Sequence, residues 1–211
     1  MEVKAMKAKR VLKFVMTSVA VLALSVNVLA AGSITNAVDK NVVTATTASG
    51  ETVNVKIEDV TANTFPEEIQ KEVDALNEAK ADTTLQAAFE TIFSKDEMPQ
   101  IDLYNADGLK QENMDLKEFK FLSPIMNVTL DKEPTEEDPV DVTFTVNNLT
   151  DKIEAFILHR CDKHGWELLE TEKISDNQIK VSFHSAAGPV AVVYRELPEE
   201  QNEQNTETVA P

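Results

Sequence analysis

From Val140 to Leu197, apolar and polar residues trade places in short runs separated by turn residues. Val140-Asp-Val-Thr-Phe-Thr-Val146 and Gln178-Ile-Lys-Val-Ser-Phe-His184 keep a period of two. That pattern puts one face of a strand in the core and the other in water. Pro189 to Tyr194 and the middle of Ile153 to Cys161 are apolar at successive positions, which suits strands covered on both faces. Turn signals at Asn147-Asn148, Asp162-Lys-His-Gly165, Ser175-Asp-Asn177 and Ala186-Ala-Gly188 divide the runs, and Trp166 to Thr171 leads back from the second of them. Phe119 to Leu130 changes phase, with Phe119 and Phe121 at odd positions and Met126, Val128 and Leu130 at even ones. A one-residue slip exchanges the faces of a strand. Ser123-Pro124 lies between the two phases, and a proline that cannot donate to a ladder predicts a bulge or an edge there.

Before these runs the period changes. Thr64, Pro66 and Glu67 read as a capping box and first turn, and Ile69, Val73 and Leu76 recur at helical spacing, so residues 64–79 predict a helix. Residues 82–94 predict a second, with Asp82 as cap and Leu85, Ala88, Phe89, Ile92 and Phe93 as a broad apolar stripe buried against the protein itself. Residues 31–63 are rich in Thr, Val and Ala. They read either as an extended linker or as a hairpin joining Val42 to Thr46 with Thr52 to Ile57. Six strands from Phe119 onward, or about seven with Ile101 to Tyr104, predict a mainly β fold: an immunoglobulin-like antiparallel β-sandwich preceded by two short helices, α+β overall. The organisation expected is a signal peptide over 1–30, the extended segment or hairpin over 31–63, a helical pair and loop over 64–115, the sandwich over 116–197 and an acidic disordered tail over 198–211.

The start of the chain sets the expected compartment. Lys4, Lys7, Lys9, Arg10 and Lys13 precede a short apolar run from Phe14 to Leu24, and Val28-Leu-Ala30 offers small residues for cleavage. This is the layout of an export signal, and its apolar run is short for a retained membrane anchor. The 211-residue chain carries a formal charge of −17. The first 30 residues contribute five basic groups and one acid, so the remainder is more acidic still, at −21. Such a chain is repelled by nucleic-acid phosphates and anionic membrane surfaces. The expectation is a secreted or extracytoplasmic protein, associated with the cell envelope, with no nucleic-acid partner and no membrane insertion after signal cleavage. Cys161 is the single cysteine, so no internal disulfide staples the fold.

Candidate chemistry is sparse. His159-Arg-Cys-Asp-Lys-His164 gathers imidazole, thiol and carboxylate within six residues, all ligand types for zinc or copper. A structural zinc site takes four protein ligands, and no second Cys/His pair is obvious in the sequence. His159 therefore reads as a strand-end histidine, Cys161 as a buried thiol and His164 as a turn histidine. A Cys161 nucleophile with His159, His164 or His184 as base would need an oxyanion hole, and the chain has only five glycines and no glycine-rich elbow. The acidic loop Asp131 to Asp138 lacks the spacing of a calcium loop. The reading names no catalytic, cofactor-binding or metal-ligating residue and no cofactor. Trp166, the only tryptophan, reads as a core residue facing Val142, Phe144, Val181 and Phe183.

Val142 to Val146, Ile157-Leu-His159, Gly165-Trp-Glu167, Val181-Ser-Phe183 and Gly188 to Val193, together with Gly32-Ser-Ile-Thr35 after the signal and Pro66 to Ile69 opening a helix, carry a resemblance. The chain resembles small exported proteins of Gram-positive gut bacteria with a C-terminal immunoglobulin-like β-sandwich module of undetermined role. It departs from their pattern where the last strand follows Gly188-Pro189 rather than Ser-Pro. The resemblance covers most of the mature chain and supplies no catalytic residue. The function expected is an exported, non-catalytic binding or structural module with an extracellular protein or glycan as partner. The alternative is a metal-dependent hydrolase or redox protein using His159, Cys161 and His164.

Overall fold

A computed structural model describes residues 37–198, apart from 81, 106, 107, 112 and 113. The expected export signal and the acidic tail beyond 198 lie outside the described residues. The described residues begin with β1 (Val38–Thr47), β2 (Thr52–Val53) and β3 (Val55–Asp59), followed by α1 (Glu67–Asn77) and α2 (Leu85–Glu90). Next come β4 (Asp102–Tyr104), β5 (Lys110–Gln111), β6 (Phe119–Phe121), β7 (Met126–Leu130) and β8 (Val140–Val146). The last five strands are β9 (Ile153–Cys161), β10 (Gly165–Glu170), β11 (Glu172–Ser175), β12 (Gln178–Phe183) and β13 (Gly188–Glu196). No described helix is long and apolar enough to cross a membrane.

The strands form two sheets, ordered β11-β12-β8-β1-β2 and β3-β7-β13-β9-β10-β4-β5, with β6 also paired to β13. The fold is thus a mainly β, two-sheet sandwich with two helices. Eight described strands, not six, follow from Phe119 on: Phe119 to Leu130 divides into β6 and β7, and the short exposed edge strand β11 has no apolar alternation to announce it. One pairing departs from the antiparallel expectation, because β4 runs parallel to β10, with Leu103 opposite Leu168 and Tyr104 opposite Leu169.

Of the two readings for residues 31–63, the hairpin is the one observed: Ala45 pairs with Val53 and Thr46 with Thr52. The chain then leaves the first sheet, and β3 pairs with β7 in the second, so one short segment stitches both sheets together. A bulge lies at Ser123-Pro124. Backbone N–H groups of both Leu122 and Ser123 donate to Val192 O, at 2.8 and 3.0 Å, and Ser123 Oγ accepts from Val192 N at 2.8 Å. Residues 122–125 stand opposite Ala191 and Val192, a two-residue offset that keeps strand parity while β6 and β7 both pair with β13. The apolar positions change from odd to even because Phe119 and Phe121 belong to one apolar layer and Met126 and Val128 to the other.

The helix caps differ from expectation. Thr64 bonds back to Thr61 instead of capping α1, whose N-cap is Pro66 with no side-chain bond. Thr84, two residues beyond Asp82, caps α2 by accepting from Ala87 N.

Two apolar layers result. Val142, Phe144, Val181 and Phe183 meet Ile157, Val190 and Val192 between the sheets. On the other face of the second sheet, Leu158, Leu168, Ala191 and Val193 lie under the helices with Val73, Leu76, Leu85 and Phe89. Val190 to Val193 of β13 alternate between the layers, which is why that stretch is apolar at successive positions. Trp166 is buried, as expected, but in the helix-covered layer and not beside Phe144 and Phe183. Phe89 meets its ring edge-on at 5.7 Å, and Glu72 Oε2 on α1 accepts from both Trp166 Nε1 at 2.8 Å and Arg160 Nε at 3.1 Å.

Phe89, fully buried against Trp166, gives a direct test of the helix layer. Phe89→Ala should cost about 3–5 kcal/mol in chemical denaturation. Trp166 is 3% exposed, so its emission should be blue-shifted and shielded from iodide in the native chain and should move to the red in the variant. A loss below about 1 kcal/mol would show that the helices are not docked by this residue.

Candidate functional site

Strand parity decides what lies at one end of the inter-sheet layer. On β9, His159 and Cys161 continue the inward face of Ile157. On β10, Glu167 shares that face with Leu169 and stands opposite His159. Gly165, at φ +74°, permits the tight turn that brings β10 back beside β9 with Gly165 opposite Cys161. His164 occupies that turn. His184 follows β12 at the same end, and Tyr104 reaches in from β4 on the face of Leu169.

Glu167 is the centre of this group. Its side chain and that of His159 are fully buried. Glu167 Oε1 accepts from His159 Nδ1 at 2.8 Å, and the other ring nitrogen of His159 lies 3.0 Å from Ala186 O. Both ring nitrogens face acceptors, so both bonds are made only when the ring carries both protons. Glu167 Oε2 accepts from His164 Nδ1 at 3.2 Å. His184 Nε2 lies 3.3 Å from Glu167 Oε1 yet has no hydrogen-bond partner, so it is drawn to the carboxylate without being aligned to it. All three histidines of the chain and its single cysteine therefore converge on one buried carboxylate.

Burial alone would push the Glu167 carboxyl up. The hydrogen bond from His159, the neighbouring His184 and the charge of both overcome it and hold the group down from its ordinary 4.5 to about 2. Burial and then the Glu167 charge push the Tyr104 phenol up. Tyr104 stacks on His164 at 5.5 Å and lies tilted against His184 at the same distance. Above these rings a recess of about 470 Å³ opens, lined among others by Asn105, Gly108, Glu136 and Ser182.

One ligand atom from each of Cys161, His164, Glu167 and His184 lies within 4.8 Å of the others. Two of these residues belong to the cluster singled out in the sequence. His159 does not join them, because its two nitrogens are engaged by Glu167 and Ala186. Glu167 and His184 come from outside that cluster. A charged residue on the inward parity of β10, in step with Leu169, is the signal that could have found Glu167. No local signal joins His184 to it.

Compared with family models, with curated proteins and with solved structures, the chain matches none. The site's own geometry has to carry the functional reading.

The Glu167 arrangement makes a pH prediction for metal-free protein. The folded-state value lies below the ordinary 4.5, so its stabilisation is present in full above that value. It is lost as the pH falls from there towards about 2. A depression of this size is worth about 3 kcal/mol. With a chelator present, Glu167→Gln should lower stability at neutral pH and flatten the acid limb of the stability curve. An unchanged acid limb would show that Glu167 is not held in this ion-paired state.

Proposed function

We propose that the chain is an exported, non-catalytic binding module of the cell envelope or extracellular space, and that its ligand enters the recess over Tyr104, His164 and His184. One observation carries the reading: the only histidines and the only cysteine of an otherwise apolar layer end gather on Glu167 beneath an open recess. A core that served packing alone gains nothing from a buried carboxylate, which costs desolvation unless it is paired. The leading segment with its five basic residues and short apolar run supports export. The immunoglobulin-like plan of the exported proteins the chain resembles agrees with a binding or structural role.

The alternative class, a metal-dependent hydrolase or redox protein, draws on the same residues. Hydrolysis needs a base aimed at the reacting group. The imidazoles on the recess wall, His164 and His184, are turned towards Glu167 at 3.2 and 3.3 Å, and the wall carboxylate, Glu136, is 65% exposed and lies 3.3 Å from Lys163 Nζ. Binding is the better-supported reading.

A thermal-shift panel of transition-metal ions, monosaccharides, free amino acids and short peptides tests it. A ligand present at a hundred times its Kd should raise Tm by about 5–10 °C. The rise should vanish in Tyr104→Ala and in His184→Gln proteins whose circular dichroism and Trp166 emission remain native. A folded protein that no panel member stabilises would remove the reading.

A further inference from the structure

We propose that Cys161, His164, Glu167 and His184 form a site for one transition-metal ion of the zinc class. The inference rests on the binding reading above and names the chemistry of its ligand. The donor set is one thiolate, two imidazoles and one carboxylate. These are zinc ligands, whereas calcium and magnesium take oxygen. The thiolate and the carboxylate together balance a divalent charge.

The geometry is close to that required. Zn–S and Zn–N bonds of about 2.3 and 2.0–2.1 Å place tetrahedral donors roughly 3.4–3.8 Å apart. The four atoms here lie within 4.8 Å of one another. A contraction of about 1 Å, within reach of side-chain rotation, closes the shell. Cys161 and Glu167 sit on paired strands and are three residues either side of His164, so one hairpin turn supplies three donors as C-x2-H-x2-E. His184 supplies the fourth from the β12–β13 connection.

Three further features prepare the site. The backbone N–H of Lys163 donates to Cys161 Sγ at 3.4 Å and so fixes the direction in which the sulfur points. His159 grips Glu167 from behind and is itself tied to Ala186 O; it acts as a positioning residue that sets the carboxylate, as outer-shell partners do at metal centres. His184 Nε2 is buried and has no hydrogen-bond partner among the described residues. Its nearest acceptor, Glu167 Oε1 at 3.3 Å, is not aligned for a hydrogen bond, and a metal ion between the two would bind both.

The test uses the full chain purified without a histidine tag, stripped with chelator and titrated with Zn²⁺ and then Co²⁺. One equivalent of Zn²⁺ should bind. Co²⁺ should give the intense visible bands of a tetrahedral site together with a thiolate-to-cobalt charge-transfer band. Cys161→Ser should abolish the charge-transfer band, and His184→Gln should weaken Zn²⁺ binding at least tenfold; both lie at the layer's end, and their circular dichroism checks the fold. Should Cys161→Ser fail to fold, thiol-reactive labelling of the native chain serves instead, with stoichiometric Zn²⁺ protecting Cys161. Less than a tenth of an equivalent of Zn²⁺, or binding that neither variant changes, overturns the proposal. If Zn²⁺ fails while another panel ligand still stabilises the chain in a Tyr104-dependent way, the metal assignment falls and the binding reading stands.

Discussion

The second sheet has to be dry on both faces, and most of the architecture follows from that requirement. β13, β9 and β10 carry apolar side chains at successive positions, so neither face can be left to water. The first sheet covers one face and the helices the other. This gives α1 and α2 their role: they are short, and isolated helices of such length are marginal in water. Their stability comes from the apolar face of the sheet beneath them, and the Glu72 carboxylate ties α1 to Trp166 and Arg160.

The same requirement gives the candidate site its character. A glutamate on a half-wet strand would face solvent and titrate normally. On β10 it faces the inter-sheet layer, and it is stable there only with cationic or hydrogen-bonding company. His159 supplies that company from the directly opposed position on β9. The group is thus a local exception to an apolar layer, placed at its open end, where Tyr104 and the recess connect it with the outside.

How much of this could be read from the sequence depends on the range over which each feature is determined. The alternation of Val140 to Val146 and of Gln178 to Phe183 is local, and it located β8 and β12. Ser123-Pro124 located the bulge for the same reason, whereas the change of phase there reflects the change from one apolar layer to the other. Burial of Leu85 and Phe89 followed from helical spacing. The side of the sheet on which Trp166 packs was not legible, because both faces of β10 are covered and period-two reasoning cannot tell one apolar layer from the other. The inward role of Glu167 was hidden for that same reason: the face opposite Trp166 and Leu168 belongs to a second core and not to solvent. His184 joins Cys161 through a contact made by the meeting of two connections 23 positions apart, information that resides in the tertiary fold.

The position of β13 has a consequence for how this molecule can come into being. It is the last strand among the described residues, yet it pairs with β6, β7 and β9 in the middle of the second sheet. Synthesis and any threading through a pore proceed from the N-terminus, so β6, β7 and β9 emerge with their shared neighbour still missing. The hairpin of β9 and β10 can form early, but the sheet cannot close until residues 188–196 are free. Long-range closure of this kind is slow, and exposed strand edges attract other chains while they wait. The topology therefore favours a polypeptide that stays open until its final segment is delivered and then folds in a single late step. Until residues 188–196 arrive, the edges of β6, β7 and β9 that they cover stay open to other chains.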